Sequence, residues 1–392
     1  MRSAAVVAWL GLATGCGRLH FDPLGDGATT SDRASCGVEI CNGIDDDCDG
    51  VIDEGCPCTG FESTFPTEDV SDNAQLVWTG NGYLELASDA TNEILVPVDP
   101  LGAVGTAQPI APKSQALSVT GDNTMVWTGS ELAVVWADAT SQAVMFEPFD
   151  GAGVSLAPAI SLGSSPAGTY PQIVSANGRL GIVWADPTRA FHTLEVAPDG
   201  TPLGAEVVYG GATGVMFAAA PDGNNYIVVG FDAAGTDTVY LLDPVAMLAT
   251  GQPVTFAGTR ATAIVARGPS GYLLVLTDLT SVAGQVFAPD GAASSGVLSL
   301  GPSAGSLAAA SVSGSSERFV ATAFDTSQNP ASLLVADLDA TGSPTYGPTM
   351  IASNPSGVLG NGGSTTTSGR VGVAYPWPEG PTPTMHVFQQ CR

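Results

Sequence analysis

The sequence predicts an all-β fold, a seven-bladed β-propeller, preceded by a small disulfide-stapled module with a metal-binding loop. Three observations predict the propeller. A strand-like phrase recurs every 46 to 51 residues, each repeat has room for four short strands, and the 392 residues include 49 glycines and 28 prolines. Four strands per repeat of this length are typical of a propeller blade. So much glycine and proline argues against a helix-rich protein.

The recurring phrase is an apolar second strand, which reads VVWAD at residues 134–138 and IVWAD at 182–186. It is apolar on both faces, as expected for a sheet packed between two neighbouring blades. Turn signals such as Asp150-Gly151 and Asp199-Gly200 follow the third strand of each unit, and such dipeptides favour tight hairpins. The closing positions of the seven copies are Asp89, Asp138, Asp186, Asp232, Asp278, Asp325 and Pro376.

The seventh repeat ends after its third strand, at residues 385–388, and lacks a fourth. The missing strand is expected from the other end of the propeller region (59–392), at residues 61–65, which would close the ring. An antiparallel pairing would bring Cys391 beside Cys58. We therefore predict a Cys58–Cys391 disulfide, with Cys56 as the alternative partner.

The six closing aspartates should lie on one rim of the ring, where two interpretations compete. Each carboxylate can cap its strand in an Asx turn, because Asp bonds the backbone two residues on. Alternatively, the carboxylates form an acidic ring that attracts divalent or cationic groups; the turn is the favoured interpretation. Trp136 and Trp184 are predicted to be inter-blade core rather than a sugar platform. His192 and His386 fall on third strands and are predicted to be packed or surface residues rather than catalysts.

The first 15 residues have the character of an export signal, with Arg2 followed by an apolar stretch. The run LATGC at 12–16 resembles the bacterial lipobox, and this resemblance implies that Cys16 is diacylated. Because Gly17 rather than Asp follows, the resemblance also implies an outer-membrane lipoprotein, at the cell surface or on the periplasmic face. Residues 16–35, rich in Gly, Asp, Thr and Ser, are predicted to be a flexible tether.

Residues 36–58 are predicted to be a separate Cys-rich module. Assigning Cys16 to the lipid leaves six of the seven cysteines, an even number that suits disulfides in an exported protein. A segment this small cannot bury a hydrophobic core and needs disulfide bonds to be stable. The pairing among four of them stays open: Cys36, Cys41, Cys48 and Cys56.

The same module contains an acidic loop that fits a hard cation. Carboxylates at alternate positions followed by Gly50 can converge on Ca²⁺, which prefers six to eight oxygen ligands. Position 12 of such a loop would be Cys56 and not the Glu of an EF-hand. No His or Met lies within 36–58, so calcium fits better than a softer metal. The candidate ligands are Asp45, Asp47, Asp49, the Val51 carbonyl, Asp53 and Glu54, with Glu39 as an alternative to Glu54.

The run EICNGIDDDCDGVIDE at 39–54 closely resembles a family of secreted bacterial proteins defined by the metal-binding motif E-x-C-N-G-x-D-D-D-C-D-G-x-x-D-E. The resemblance covers under a tenth of the chain. It implies an extracellular metal-binding module, and an acidic disulfide knot that binds no ion tightly is the alternative.

Charge and missing motifs limit the function. With 11 Lys and Arg against 38 Asp and Glu, the net charge of −27 excludes a phosphate-backbone binder. Past the N-terminus no apolar run is long enough to span a membrane. No nucleophile elbow, P-loop or H-E-x-x-H motif occurs. We therefore predict a non-enzymatic binding or scaffold propeller for an extracellular glycan or protein. The alternative is a propeller-type polysaccharide hydrolase or lyase.

Overall fold

A computed structural model describes residues 60–391 except for short connecting stretches. The stretches left out are 68–74, 113–115, 118–123, 139, 165–170, 177, 187, 189, 210–214, 223–224, 232–236, 254–259, 269–270, 279–280, 289–291, 303–309, 315–317, 326–330, 355–362, 367–369 and 378–382. Within the described part, no helix is long and apolar enough to cross a bilayer.

The described strands form seven antiparallel sheets, which confirms the predicted seven-bladed β-propeller. Blade 1 contains β2 (Gln75–Trp78), β3 (Tyr83–Ser88), β4 (Asn92–Val98) and β5 (Gln108–Pro112). Blade 2 contains a first strand in two pieces, β6 (Ala116–Leu117) and β7 (Met125–Trp127), then β8 (Leu132–Asp138), β9 (Ala143–Phe149) and β10 (Ile160–Ser164). Blade 3 contains β11 (Gln172–Ala176), β12 (Arg179–Ala185), β13 (Phe191–Val196) and β14 (Val207–Val208).

The remaining blades have the same order. Blade 4 contains β15 (Val215–Asp222), β16 (Asn225–Phe231), β17 (Asp237–Asp243) and β18 (Leu248–Pro253). Blade 5 contains β19 (Arg260–Arg267), β20 (Tyr272–Asp278), β21 (Ser281–Phe287) and β22 (Leu298–Pro302). Blade 6 contains β23 (Ala310–Gly314), β24 (Phe319–Asp325), β25 (Ala331–Leu338) and β26 (Pro344–Asn354). Blade 7 contains β27 (Gly363–Thr366), β28 (Arg370–Trp377), β29 (Thr384–Cys391) and, from the other end of the propeller, β1 (Phe61–Pro66).

The ring is closed by strand pairing, as the missing fourth strand of the seventh repeat predicted. β1 pairs antiparallel with β29, with Phe61 opposite Gln389 and Phe65 opposite Met385. The first strands of neighbouring blades contact each other all the way round, and the circuit ends with a contact between β27 and β2. Each blade is therefore flanked by two others, and blades 7 and 1 are joined through β1.

The core lies between blades, because the second and third strands are buried on both faces. Leu132 to Ala137 are all buried, and alternate side chains of this run face blades 1 and 3. The outer strands contribute through β-bulges, which push one extra residue toward the core. Ile110, Leu162 and Ile351 occupy these bulges, and each packs against the core cluster beside it.

A five-residue turn connects the third and fourth strands of several blades. In blade 3, the Ala197 amide bonds the Thr201 carbonyl, and Gly200 has a φ of 83°. A side chain at Gly200 would meet Phe146 of blade 2 at 2.6 Å. Glycine is needed here both for its positive φ and because the turn lies directly on the preceding blade.

Candidate functional site

The rim formed by the connections between second and third strands, named here the 2–3 rim, carries the predicted aspartates. Asp89 accepts hydrogen bonds from the amides of Thr91 and Asn92, both at 2.7 Å. Asp138 accepts from the amides of Thr140 at 2.8 Å and Ser141 at 2.6 Å. The Asx-turn interpretation is therefore confirmed at these two positions. Asp232 lies outside the described residues, as do the side chains of Asp278 and Asp325.

These turns stabilise the charged form of the aspartates. The amide of Thr91 lowers the pKa of Asp89, and the amide of Asn92 adds to the effect. The amide of Ser141 lowers the pKa of Asp138 in the same way. Both carboxylates therefore stay ionised below the ordinary range of an aspartate. The cause is local backbone structure and needs no ligand.

The opposite rim, formed by the connections between third and fourth strands and named the 3–4 rim, uses the same device. Asp150 accepts from the amides of Ala152 and Val154, both at 2.9 Å. Asp339 accepts from the amides of Thr341 at 2.8 Å and Ser343 at 2.9 Å. Because aspartate turns occur on both rims, the aspartates of the 2–3 rim do not by themselves mark a ligand-binding face.

Blade 3 departs from this pattern, because its rim aspartate also contacts a histidine. The His192 ring lies between two carboxylates, with Nδ1 at 2.6 Å from Glu206 Oε1 and Nε2 at 3.3 Å from Asp186 Oδ2. The shorter distance is a hydrogen bond, and the longer one is an ionic contact without hydrogen-bond alignment. The ring also stacks on Trp184, with centroids 5.3 Å apart and planes 18° apart. Trp184, Asp186, His192 and Glu206 are named the blade-3 cluster.

Three strands position the blade-3 cluster. Trp184 on β12 and His192 on β13 are cross-strand partners, and His192 is in turn opposite Val208 on β14. Glu206 lies immediately before β14, two residues ahead of Val208, and its carboxylate reaches the His192 ring. The tryptophan is fully buried, whereas the side chains of His192, Asp186 and Glu206 are 12%, 23% and 37% exposed. The cluster therefore has a buried aromatic base and a partly exposed acidic edge.

The acidity of the cluster follows from its contacts. Burial raises the pKa of Asp186, but the hydrogen bonds from the Thr188 hydroxyl and the Ala190 amide, together with the nearby His192 ring, outweigh this effect, and the net pKa is lowered. Asp186 Oδ1 takes the turn bonds at 2.7 and 2.9 Å, and Oδ2 faces the imidazole. An ionised carboxylate beside a histidine can hold hydroxyl or cationic groups or support proton transfer.

The neighbouring blade leaves space next to the cluster. Gly163 follows the bulge in β10, and a Cβ placed there would lie 3.6 Å from Glu206 Oε2 and 3.9 Å from Trp184 Cζ2. Because Gly163 has no side chain, this position does not cover the second oxygen of Glu206 at the junction of blades 2 and 3. Any residue with a long side chain would cover it.

Blade 7 carries an equivalent arrangement in which the glutamate has a second hydrogen-bond donor. Tyr375 and His386 are cross-strand partners and stack at 5.2 Å, and Glu62 on β1 lies where Glu206 lies in blade 3. Glu62 Oε1 is 2.8 Å from His386 Nδ1, and it also accepts a 2.9 Å bond from the Tyr375 hydroxyl. In blade 3 a tryptophan replaces the tyrosine, so Glu206 lacks this second donor. The blade-7 arrangement ties β1 to the ring.

The sequence-based expectations for the tryptophans and histidines are confirmed in part. Trp136 and Trp184 are inter-blade core, and neither offers an exposed face. His192 and His386 lie on third strands as predicted. The pairing of each histidine with a glutamate from the fourth strand was not predicted. Two His–Glu pairs at the same blade position become visible only when the strand registers are known.

The predicted metal and lipid sites lie outside the described residues. This applies to Cys16, Cys58 and the six acidic-loop positions: Asp45, Asp47, Asp49, Val51, Asp53 and Glu54. Among described residues, no group of three or more His, Cys, Asp or Glu is arranged to hold a metal. Cys391 is half of a disulfide bond, and its partner lies outside the described part. The Cys58–Cys391 pairing stays a prediction.

Comparison with known proteins shows the fold and not a family. No family model and no curated protein matches this chain. The BP39L lectin from Burkholderia pseudomallei is similar in structure, with a TM-score of 0.55 and 17% identity over 85% of this chain and 96% of that chain. U3-55K has a TM-score of 0.53 at 8% identity, covering 83% and 98%. A chain of the mitotic checkpoint complex has a TM-score of 0.51 at 15% identity, covering 84% and 95%. At such identities these similarities concern the propeller fold alone.

Proposed function

We propose that this chain is a lipid-anchored surface protein whose propeller binds an extracellular ligand at the 2–3 rim. The blade-3 cluster carries the proposal, because it is a partly exposed group of polar side chains that turn formation does not account for. Glu206 contributes no bond to a turn, and its second oxygen faces the space at Gly163.

The path of the chain supports a ligand site on the rim that faces away from the lipid anchor. β29 ends on the 3–4 rim, so its antiparallel partner β1 begins there, where a Cβ at Gly102 would meet the Phe61 ring at 2.8 Å. The N-terminal segment with Cys16 therefore joins the propeller on the rim opposite the blade-3 cluster. A lipid at Cys16 would leave the 2–3 rim facing away from the membrane.

The chemistry of the blade-3 cluster favours a hydroxyl-rich or cationic ligand. Glu206 and Asp186 are acceptors, and the chain has 38 Asp and Glu against 11 Lys and Arg, so an anionic ligand would meet a net negative protein. An extracellular glycan or a basic protein segment fits this description. The fold similarity to the BP39L lectin makes a glycan the first ligand class to test.

The alternative is a polysaccharide hydrolase or lyase, which the histidine between two carboxylates favours as acid–base chemistry. A glycosidase, however, needs two carboxylates on either side of the scissile bond. In the blade-3 cluster both carboxylates contact one imidazole, and this arrangement suits binding better than bond cleavage.

A glycan binding experiment tests the proposed function. The chain from residue 17 onward, without the lipid, should bind one or more extracellular glycans saturably and without turnover. Glu206→Gln and His192→Ala should weaken that binding roughly tenfold or more, because each removes a polar contact at the site. Asp199→Asn on the 3–4 rim is the matched control and should bind like the wild type. Turnover of a glycan by the wild type that is lost in Glu206→Gln would instead support the hydrolase. Equal binding by all three variants would show that the ligand does not bind at the blade-3 cluster.

We further propose that residues 36–58 bind one Ca²⁺ through Asp45, Asp47, Asp49, the Val51 carbonyl, Asp53 and Glu54. Calorimetric titration should give heat that saturates near one ion per chain, and Asp47→Ala/Asp49→Ala should abolish it because two of the carboxylate ligands are lost. Heat that persists in the double variant, or no heat in the wild type, would contradict calcium binding by this segment, which would then be a disulfide-bonded spacer. The double variant should keep the propeller's thermal unfolding, which is the control for folding.

A further inference from the structure

Glu85 is a carboxyl group in the middle of blade 1 that has no hydrogen-bond partner among the described residues. It lies on β3, its side chain is 0% exposed, and neither carboxyl oxygen has a hydrogen-bond partner in the described part of the chain. Its cross-strand neighbours are Leu76 on β2 and Val96 on β4, which supply only aliphatic surface. A buried carboxyl without partners is costly, and the cost is highest for the charged form.

Glu85 faces the joint that closes the ring. It shares one face of β3 with Tyr83 and Ala87, and this face packs against Ala374, Met385 and Val387 of blade 7. The strands that join blade 7 to blade 1 are held by the pairing of β1 with β29. Glu85 therefore lies at the one junction where first and last blades meet, named here the closing joint.

Among the residues that the structure describes, few ionisable groups share the closing joint. Tyr83 donates from its hydroxyl to Gln389 Oε1 at 2.7 Å, and the Arg370 guanidinium lies 4.6 Å from the centre of the Trp78 ring. Neither is a hydrogen-bond partner of Glu85. Leu76 of β2, Val96 of β4, and Met385 and Val387 of β29 are apolar at this face, and His386 and Glu62 lie on the other face of blade 7, toward blade 6.

Burial alone raises the pKa of Glu85 well above its usual range. The sign of the resulting pH dependence follows from linkage. Below the ordinary glutamate pKa of 4.5, open and closed states are both protonated, and the group has no effect on the equilibrium. Above it, the open state releases the proton while the closed state retains it. Rising pH therefore favours opening, until the raised pKa is passed and the closed state ionises too.

We propose that Glu85 makes the closing joint a proton-sensitive junction, which its neutral carboxylic acid keeps closed and its ionised carboxylate opens. The inference concerns the ring itself and does not depend on the ligand proposed above. Opening would separate blade 1 from blade 7 and free β1, the strand that connects the propeller to the N-terminal segment. Local opening of this kind requires less free energy than global unfolding.

Amide hydrogen exchange on the full-length protein between pH 6 and pH 9 tests this proposal. After correction for the intrinsic exchange rate, the opening equilibrium at β2, β3 and β29 should rise by up to about tenfold per pH unit in the wild type, since one proton is released. Glu85→Gln should remove this slope and leave the joint protected at all pH values. Glu147→Gln is the matched control, because burial also raises the pKa of Glu147, although the Ser155 hydroxyl bonds it at 2.6 Å.

Three outcomes would overturn the proposal. If Glu85→Gln leaves the pH dependence of opening unchanged, the titrating group is not Glu85. If Glu147→Gln removes the pH dependence as well, the pH dependence belongs to the whole ring and not to the closing joint. An equal slope at β12 and β13 in blade 3 would indicate global unfolding rather than a joint. If Glu85→Gln fails to fold, Glu85→Met replaces the carboxyl with an apolar group of similar length and should show the same loss of slope.

Discussion

Replacing Phe65 with alanine should destabilise the protein by about 3–4 kcal/mol, because β1 then loses its anchor in the closing joint. Phe65 is buried in the cluster that joins blade 7 to blade 1, where it packs with Met385 and Trp78. Phe61, the other aromatic residue of β1, is only partly buried at the edge of the same cluster. The loss should be seen as a lower midpoint in guanidinium unfolding and as faster exchange of the amides of β29.

Thr64→Ala is the matched control for Phe65→Ala. Thr64 is the neighbouring residue on the same strand, opposite His386, and its side chain is exposed. Its replacement should change the free energy of unfolding by less than roughly 0.5 kcal/mol. If Phe65→Ala were as mild as Thr64→Ala, β1 would not be the strand that holds the ring together.

Gly181→Val should cost about 3 kcal/mol, because a close inter-blade contact leaves no room for a side chain. A Cβ at Gly181 on β12 would lie 2.1 Å from Cε1 of Tyr226, the buried aromatic at the start of the second strand of blade 4. Tyr226 cannot swing away freely, since its hydroxyl donates to Glu195 Oε1 at 3.0 Å. Blade 3 would have to move away from blade 4. Thermal unfolding should begin at a clearly lower temperature.

Gly204→Ala is the control for Gly181→Val, because no atom lies within 4 Å of a Cβ at that position. It should leave the unfolding temperature nearly unchanged. The same contact recurs where Phe319 lies on Gly268 and Tyr83 on Gly372. If Gly181→Val were tolerated as well as Gly204→Ala, glycine at these junctions would reflect composition and not packing.

Much of the fold was predictable because a propeller repeats its local structure. Each blade needs an apolar second strand, a turn residue after it and a hairpin after the third strand, so the same residue types return at each period. The closing strand was predictable for the same reason, since a repeat that stops after three strands needs a fourth from elsewhere. The aspartate turns followed from local chemistry, as Asp89 and Asp138 show.

The candidate site was predictable only in part. His192 could be placed on its strand, but its contact with Glu206 depends on the register of β14. The position of Gly163 beside Glu206 depends on the bulge in the neighbouring blade. Glu85 could have been noticed as the one charged residue within an apolar phrase, LELAS at 84–88. Its lack of a partner, however, depends on what blade 7 places against it.

The sequence by itself determined the number of blades, the place of the second strand in each blade, the turn role of Asp89 and Asp138, and the strand that closes the ring. These features depend on period, hydropathy and turn chemistry, which act over a few residues and are written in every repeat. Only the tertiary structure decided that equivalent His–Glu pairs lie in blades 3 and 7, and that Glu85 meets no partner at the closing joint. The physical reason is that these contacts depend on strand register within a blade and on what the neighbouring sheet places against it, and neither is specified by the repeat itself.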